Sequence, residues 1–192
     1  MITGDLEYMI SSLPYLTFQD TDEERSKVFS ILEKYASSSE SGKNLSPLLD
    51  AEAKKFLAPK AYRIFEQIDL ETIYSASFQK SKNQELAAFS TYMYSLKKDI
   101  RQLRISRKNG VESASKKASM PLIPGNPLEE ELQLLRWQWD KLEALSIGHY
   151  ADFGALVIYK LKLLLLLRWW GFDQEKGFEK FLNSTKMTED GR

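Results

Sequence analysis

Apolar residues recur along two stretches of this chain with the spacing of a helix seam. Leu86, Phe89, Met93, Leu96, Ile100 and Leu103 follow at intervals of 3, 4, 3, 4 and 3, which places them on one helical face. Leu128, Leu132, Leu135, Trp139 and Leu142 do the same at 4, 3, 4 and 3. The first seam ends at Asn109-Gly110, a C-cap pair. The second opens at Asn126-Pro127-Leu128-Glu129, which supplies an N-cap, a proline at the first helical position and a glutamate at the third. Two matching seams close in sequence predict an antiparallel helical hairpin. The connection between them, about residues 110–125, is longer than compact domains usually use and is expected to be a flexible loop. A third helix, from about Tyr150 to Trp170, is apolar nearly all round and is expected to be surrounded by others. Gly171 ends it and Asp173 opens a last helix reaching about Leu182, followed by a frayed tail over residues 184–192.

The N-terminal half is patterned less regularly. Residues 5–18 alternate poorly and contain Pro14, which predicts a short strand or an extended arm. Thr21 then begins a capping-box sequence with Glu24, and acidic residues crowd the positive end of the helix dipole. That helix is expected to run to about Tyr35, burying Val28, Phe29, Leu32 and Tyr35. A Ser-, Gly- and Asn-rich linker covers about residues 36–46. Ser46-Pro47 reads as the next start, and Pro59 breaks the helix near Ala58 because it disfavours helical geometry in the residue before it. A second piece follows from about Lys60 to Gln67, and Asp69 caps a short helix through Tyr74. The expected architecture is all-α: an antiparallel helical bundle forming one domain over residues 1–192, with one long helical hairpin.

Composition narrows the class. Apolar residues make up 43% of the 192, enough to bury a real core. Lysine plus arginine and aspartate plus glutamate number 27 each, so the net field gives no reason to expect nucleic acid or a membrane surface as a partner of the whole molecule. Cysteine is absent, which excludes disulfides, thiolate metal sites and cysteine nucleophiles. Acidic rather than basic residues precede the first apolar patch, so no signal peptide is expected. Lys160, Lys162 and Arg168 interrupt the most apolar stretch, which argues for a core helix and against a membrane span.

Catalytic patterns are missing. The sole histidine, His149, has no companion ligands at metal-binding spacing and reads as an exposed or capping residue. Asp140 and Glu143, and likewise Glu66 and Asp69, share a helix face, but nothing aims a nucleophile at either pair. There is no phosphate-binding loop, serine-nucleophile elbow or zinc-protease motif. The expectation is a protein that is not an enzyme and carries no cofactor and no metal.

One charge pattern stands out. Lys97, Arg101, Arg104 and Lys108 run along one helix face at intervals of 4, 3 and 4, and Arg107, Lys116 and Lys117 extend the charge. The stripe fits a solvated face or a docking surface for an acidic protein. It lacks the interleaved exposed aromatics of single-strand nucleic-acid binders. All four tryptophans lie between Trp137 and Trp170. At about 100° per residue, Trp137 points about 200° away from Trp139, and Trp169 and Trp170 diverge similarly. One of each pair is expected in the core and the other at an interface. The candidate partner interface is therefore Lys97, Arg101, Arg104, Arg107, Lys108, Trp137 and Trp170. Lys160 and Lys162 point to opposite sides of their helix. Their stems either snorkel to the surface or pair with an acid such as Glu143 or Glu179.

Three segments carry a resemblance. YMISSLPYLTF near the N-terminus, NPLEEELQLLRWQWDKLE and YKLKLLLLLRWWGFDQEKG together resemble an uncharacterised bacterial family encoded with V-type (archaeal/vacuolar-like) ATPases. That family is similar to the rotor-cap subunit of bacterial, archaeal and eukaryotic rotary ATPases. The resemblance implies an all-helical, non-catalytic adaptor between the membrane rotor ring and the central stalk, or an assembly factor. It implies other V-type ATPase subunits as partners and a cytoplasmic location, peripheral to the inner face of the cell membrane. It brings no catalytic residues. A free-standing helical interaction or regulatory module unrelated to ATPases is the alternative, and a helical enzyme built from dispersed acids and lysines is a further rival.

Overall fold

The computed structural model describes residues 3–35, 45–108 and 122–172. Among them are eight α-helices and no strand: α1 (Thr3–Ser12), α2 (Asp22–Leu32, continued by a 3-10 turn, Glu33–Tyr35), α3 (Leu45–Phe56), α4 (Pro59–Glu66), α5 (Ala76–Gln79), α6 (Gln84–Lys108), α7 (Pro127–Ser146) and α8 (Phe153–Trp170). The fold is all-α, as the periodicity predicts.

Helix starts follow the local chemistry. Thr21 is extended and its hydroxyl accepts from the Glu24 amide at 3.2 Å. Asn126 and Glu129 form a reciprocal capping box at the head of α7. Asp152 caps α8, its carboxylate accepting from the Ala155 amide at 2.7 Å. Asn83 serves α6 in the same way, accepting from the Leu86 amide at 2.8 Å. Pro59 breaks the chain where expected: α3 stops at Phe56, and Ala58 is extended ahead of Pro59. Each cap satisfies amide donors that the first helical turn leaves unpaired.

Three local expectations change. Residues 5–18 form neither strand nor arm at their start, because α1 is helical through Ser12 and only the segment from Leu13 is irregular. Leu6, Met9, Ile10 and Leu13 make a helical stripe against the core, and Pro14 then ends the helix by excluding helical geometry at Leu13. α3 begins at Leu45, ahead of the Ser46-Pro47 signal, and Leu45 is buried. Asp69 caps a run of turns, its carboxylate accepting from the Glu71 amide at 2.7 Å. The short helix comes later, at α5. The expected linker at 36–46 lies mostly outside the described residues. So do most of the 110–125 connection, the helix from Asp173 and the tail at 184–192.

The core centres on α8. Leu156, Val157, Leu161, Leu163, Leu165 and Leu166 are buried on several sides of it, as an all-round apolar helix requires. α7 makes the most extensive contact with α8, and α6 and α3 also pack on it. Leu86 and Phe89 of α6 and Leu135, Trp139 and Leu142 of α7 join this cluster. Contact between α6 and α7 themselves is slighter. Arg107, at the end of α6, reaches Glu130 at the start of α7, and Lys141 lies 5.9 Å from the ring centroid of Tyr92. Leu128, assigned to the second seam, is exposed. No helix among the described residues is long and apolar enough to cross a membrane.

Candidate functional site

The basic stripe lies on α6, and its cations fall into two groups. Arg107 is committed: its guanidinium donates to both carboxylate oxygens of Glu130, at 2.7 and 2.9 Å. Lys97 places its ammonium 3.4 Å from the centre of the Tyr74 ring, a cation–π contact. Arg101, Arg104 and Lys108 are exposed, and among the described residues none of them makes an ion pair. An α-helix turns about 100° per residue, so these three and Lys97 fall within an arc of about 60°.

A groove of about 410 Å³ borders this arc. Met93, Leu96 and Ile100 of α6 and Leu134 of α7 give it an apolar floor, and Lys97 and Arg104 stand at its edge. Leu96 and Leu134 are buried but stand apart from the main core cluster. On the far side Arg168 is paired with Glu131, at 2.6 and 2.8 Å, so that acid is neutralised. Gln138 is buried beneath, its amide nitrogen donating to the Leu134 carbonyl at 3.0 Å.

The tryptophans separate only partly as expected. Trp139 is core and Trp137 is half-buried. Trp170 does not face outward: it is 9% exposed, and its indole N–H donates to the Gln19 carbonyl at 3.0 Å. The loop after α1 folds over this end of α8 and covers it. Trp169, its half-buried neighbour, packs on Phe18 with ring centroids 4.4 Å apart.

Phe18 joins parts of the chain that are far apart in sequence. Its ring also lies 5.4 Å from that of Trp139, and the Arg136 guanidinium sits 5.3 Å from its centre. The segments YMISSLPYLTF, NPLEEELQLLRWQWDKLE and YKLKLLLLLRWWGFDQEKG therefore meet in one aromatic cluster. Nothing in the local pattern around Phe18 signals that convergence.

Lys160 is the least expected residue. It is 1% exposed on α8, and its ammonium donates to Asp50 at 2.6 Å and to the Phe65 carbonyl at 2.8 Å. The Phe65 ring centre lies 4.6 Å away. Burial lowers the Lys160 pKa despite the favourable hydrogen bond and charge of Asp50. Burial likewise raises that of Asp50. Both shifts point the same way: desolvation outweighs the pairing. Lys162, on the other side, pairs with Glu143 at 2.9 Å, one of the two acids proposed for it.

His149 lies between two carboxylates, with Nδ1 2.6 Å from Asp152 and Nε2 3.0 Å from Glu85. The hydrogen bond to Asp152 raises its pKa against the opposing effect of desolvation, and the charges of Asp152 and Glu85 add to the rise. Burial would lift Asp152, but the Ala155 amide and His149 hold it below its ordinary value. Gly154 leaves room for the three side chains, since a Cβ there would lie 2.9 Å from a Glu85 oxygen and 3.1 Å from His149 Nδ1. The group ties the start of α6 to the turn before α8, where Gly148 takes a positive φ of 89°.

The acid pairs do not come together as pairs. Asp140 binds Arg136 at 3.0 Å while Glu143 binds Lys162. Glu66 ends α4, and Asp69 lies beyond it in the following turns. Among the described residues no group of three or more His, Cys, Asp or Glu side chains is arranged to hold a metal ion. Comparison with protein-family models, curated proteins and solved structures finds no match.

Proposed function

We propose that this chain is a non-catalytic helical subunit or accessory protein of a V-type proton or sodium ATPase. It acts as an adaptor between rotor and central stalk, or in assembly, at the cytoplasmic face of the membrane. What carries the reading is that the three segments resembling the ATPase-associated family meet at one place in space, joined by Phe18, Trp139, Trp169 and Trp170. The uncommitted cations on α6 support it, because docking against a larger assembly needs a complementary surface and no nucleophile. In this reading α6 and α7 work together as a hairpin arm presenting that surface.

Purification of the tagged chain from its native cell at low salt tests the proposal. V-type ATPase subunits are expected in stoichiometric amount. Their absence under gentle conditions would overturn the ATPase assignment and leave the free-standing helical adaptor, which the basic groove fits equally well.

A further inference from the structure

The groove beside the basic stripe combines features usually found apart. Its floor is apolar, from Met93, Leu96, Ile100 and Leu134. One edge carries cations with no acid of this chain committed to them among the described residues, Arg101 and Arg104 above all. The opposite edge is already neutral, because Glu131 is held by Arg168. An occupant must therefore be apolar on one side and acidic on one flank only.

The spacing defines it further. Lys97 and Lys108 are eleven residues apart along α6, about 16 Å at 1.5 Å per residue. A second helix laid along α6 presents side chains at the same intervals of 3 and 4, so acids at i, i+4 and i+7 match the cations in register. Its neighbouring apolar stripe then faces the groove floor. We propose that this groove docks an amphipathic helix of another protein, with leucine-like anchors on the floor and aspartate or glutamate against Lys97, Arg101 and Arg104. The inference rests on the docking role proposed above and names the chemistry of the partner.

The test uses the full chain and a designed probe. A fluorescein-labelled peptide of about five helical turns carries leucines at i, i+3 and i+7 and glutamates along one flank. A control peptide has lysine in place of each glutamate. Fluorescence anisotropy at low salt is expected to give the acidic peptide a Kd at least about tenfold lower than the control. Arg101→Glu with Arg104→Glu is expected to weaken binding by about tenfold or more. Ile100→Trp, which fills the groove and leaves the cations in place, is expected to weaken it as well. A benzoylphenylalanine at the central anchor of the peptide is expected to crosslink at Met93 in the unmutated chain, a readout independent of any variant's folding.

Equal binding of both peptides, indifference to the charge reversal, or crosslinks only outside the groove would each overturn the proposal. So would phosphatidylglycerol vesicles that displace the peptide and themselves fail to bind the charge-reversed chain, since the ligand would then be a lipid. Recovery of ATPase subunits by the charge-reversed chain at wild-type yield would sink the groove and leave the ATPase reading standing. Peptide binding at the groove with no ATPase subunit recovered would do the reverse.

Discussion

Cations on α8 and cations on α6 face opposite situations. On α8, Lys160 holds Asp50, Lys162 holds Glu143 and Arg168 holds Glu131. On α6, only Arg107 has an acidic partner among the described residues, while Arg101, Arg104 and Lys108 stand exposed without one. Both helices carry several positive charges beside an apolar face. In the first case the surrounding helices bring acids to meet them, so the charges contribute to the fold. In the second nothing within the described chain meets them, which leaves them free for contact with another molecule. A basic residue on a helix says little about function until its surroundings are known.

The sharpest way to break that contrast is at Lys160. Lys160→Ala leaves Asp50 partly buried without its partner and frees the Phe65 carbonyl, and is expected to cost about 3–5 kcal/mol in chemical denaturation. Lys160→Met combined with Asp50→Leu removes both charges and is expected to recover most of that loss. An unchanged denaturation midpoint in the single variant would show that the pair is not a structural element.

Phe18→Ala comes next. It empties the space between Trp139 and Trp169 and removes the cation contact of Arg136. A loss of about 2 kcal/mol is expected, less than for a fully enclosed phenylalanine because Phe18 is half-buried. Intrinsic tryptophan fluorescence is expected to shift to longer wavelength as the two indoles gain solvent. If neither stability nor fluorescence moves, the three segments do not depend on one another through Phe18.

His149 contributes a pH-dependent effect. Its pKa is raised in the folded chain, so the stability it supplies is complete below its ordinary value of about 6.5 and is lost as pH rises through the raised value. Asp152 is held low, so its own contribution is present above its ordinary value and is lost as pH falls through the depressed one. Wild type is therefore expected to melt above His149→Gln in mildly acidic buffer and to converge with it in alkaline buffer. A difference in melting temperature that stays constant across that range would remove the charged imidazole from the account.

The smallest effect is expected on α6. Arg101→Glu with Arg104→Glu is expected to change stability by no more than about 0.5 kcal/mol per site, because both side chains are exposed and make no ion pair. Greater destabilisation would mean that these arginines serve the fold, and the contrast with α8 would vanish.

How far the fold is legible depends on distance along the chain. The capping groups Thr21 and Asn126, the break at Pro59 and the end of α8 at Gly171 are readable from the residues alone. Each works through contacts within about four positions, where the order of residues determines the geometry. The helicity of α1 escapes such a reading because Pro14 and the weak alternation obscure the stripe of Leu6, Met9, Ile10 and Leu13, which takes effect only against a core. Trp170 turns inward against expectation because rotation about a helix axis tells which residues oppose one another and not which side another segment covers. The sequence by itself determined where most helices begin and that α8 is apolar all round. Tertiary structure alone decided that α7 packs chiefly on α8, that Lys160 meets Asp50 from 110 residues away, and that a groove opens beside the uncommitted arginines. Those depend on the path of the chain in space, which no local rule of spacing or capping contains.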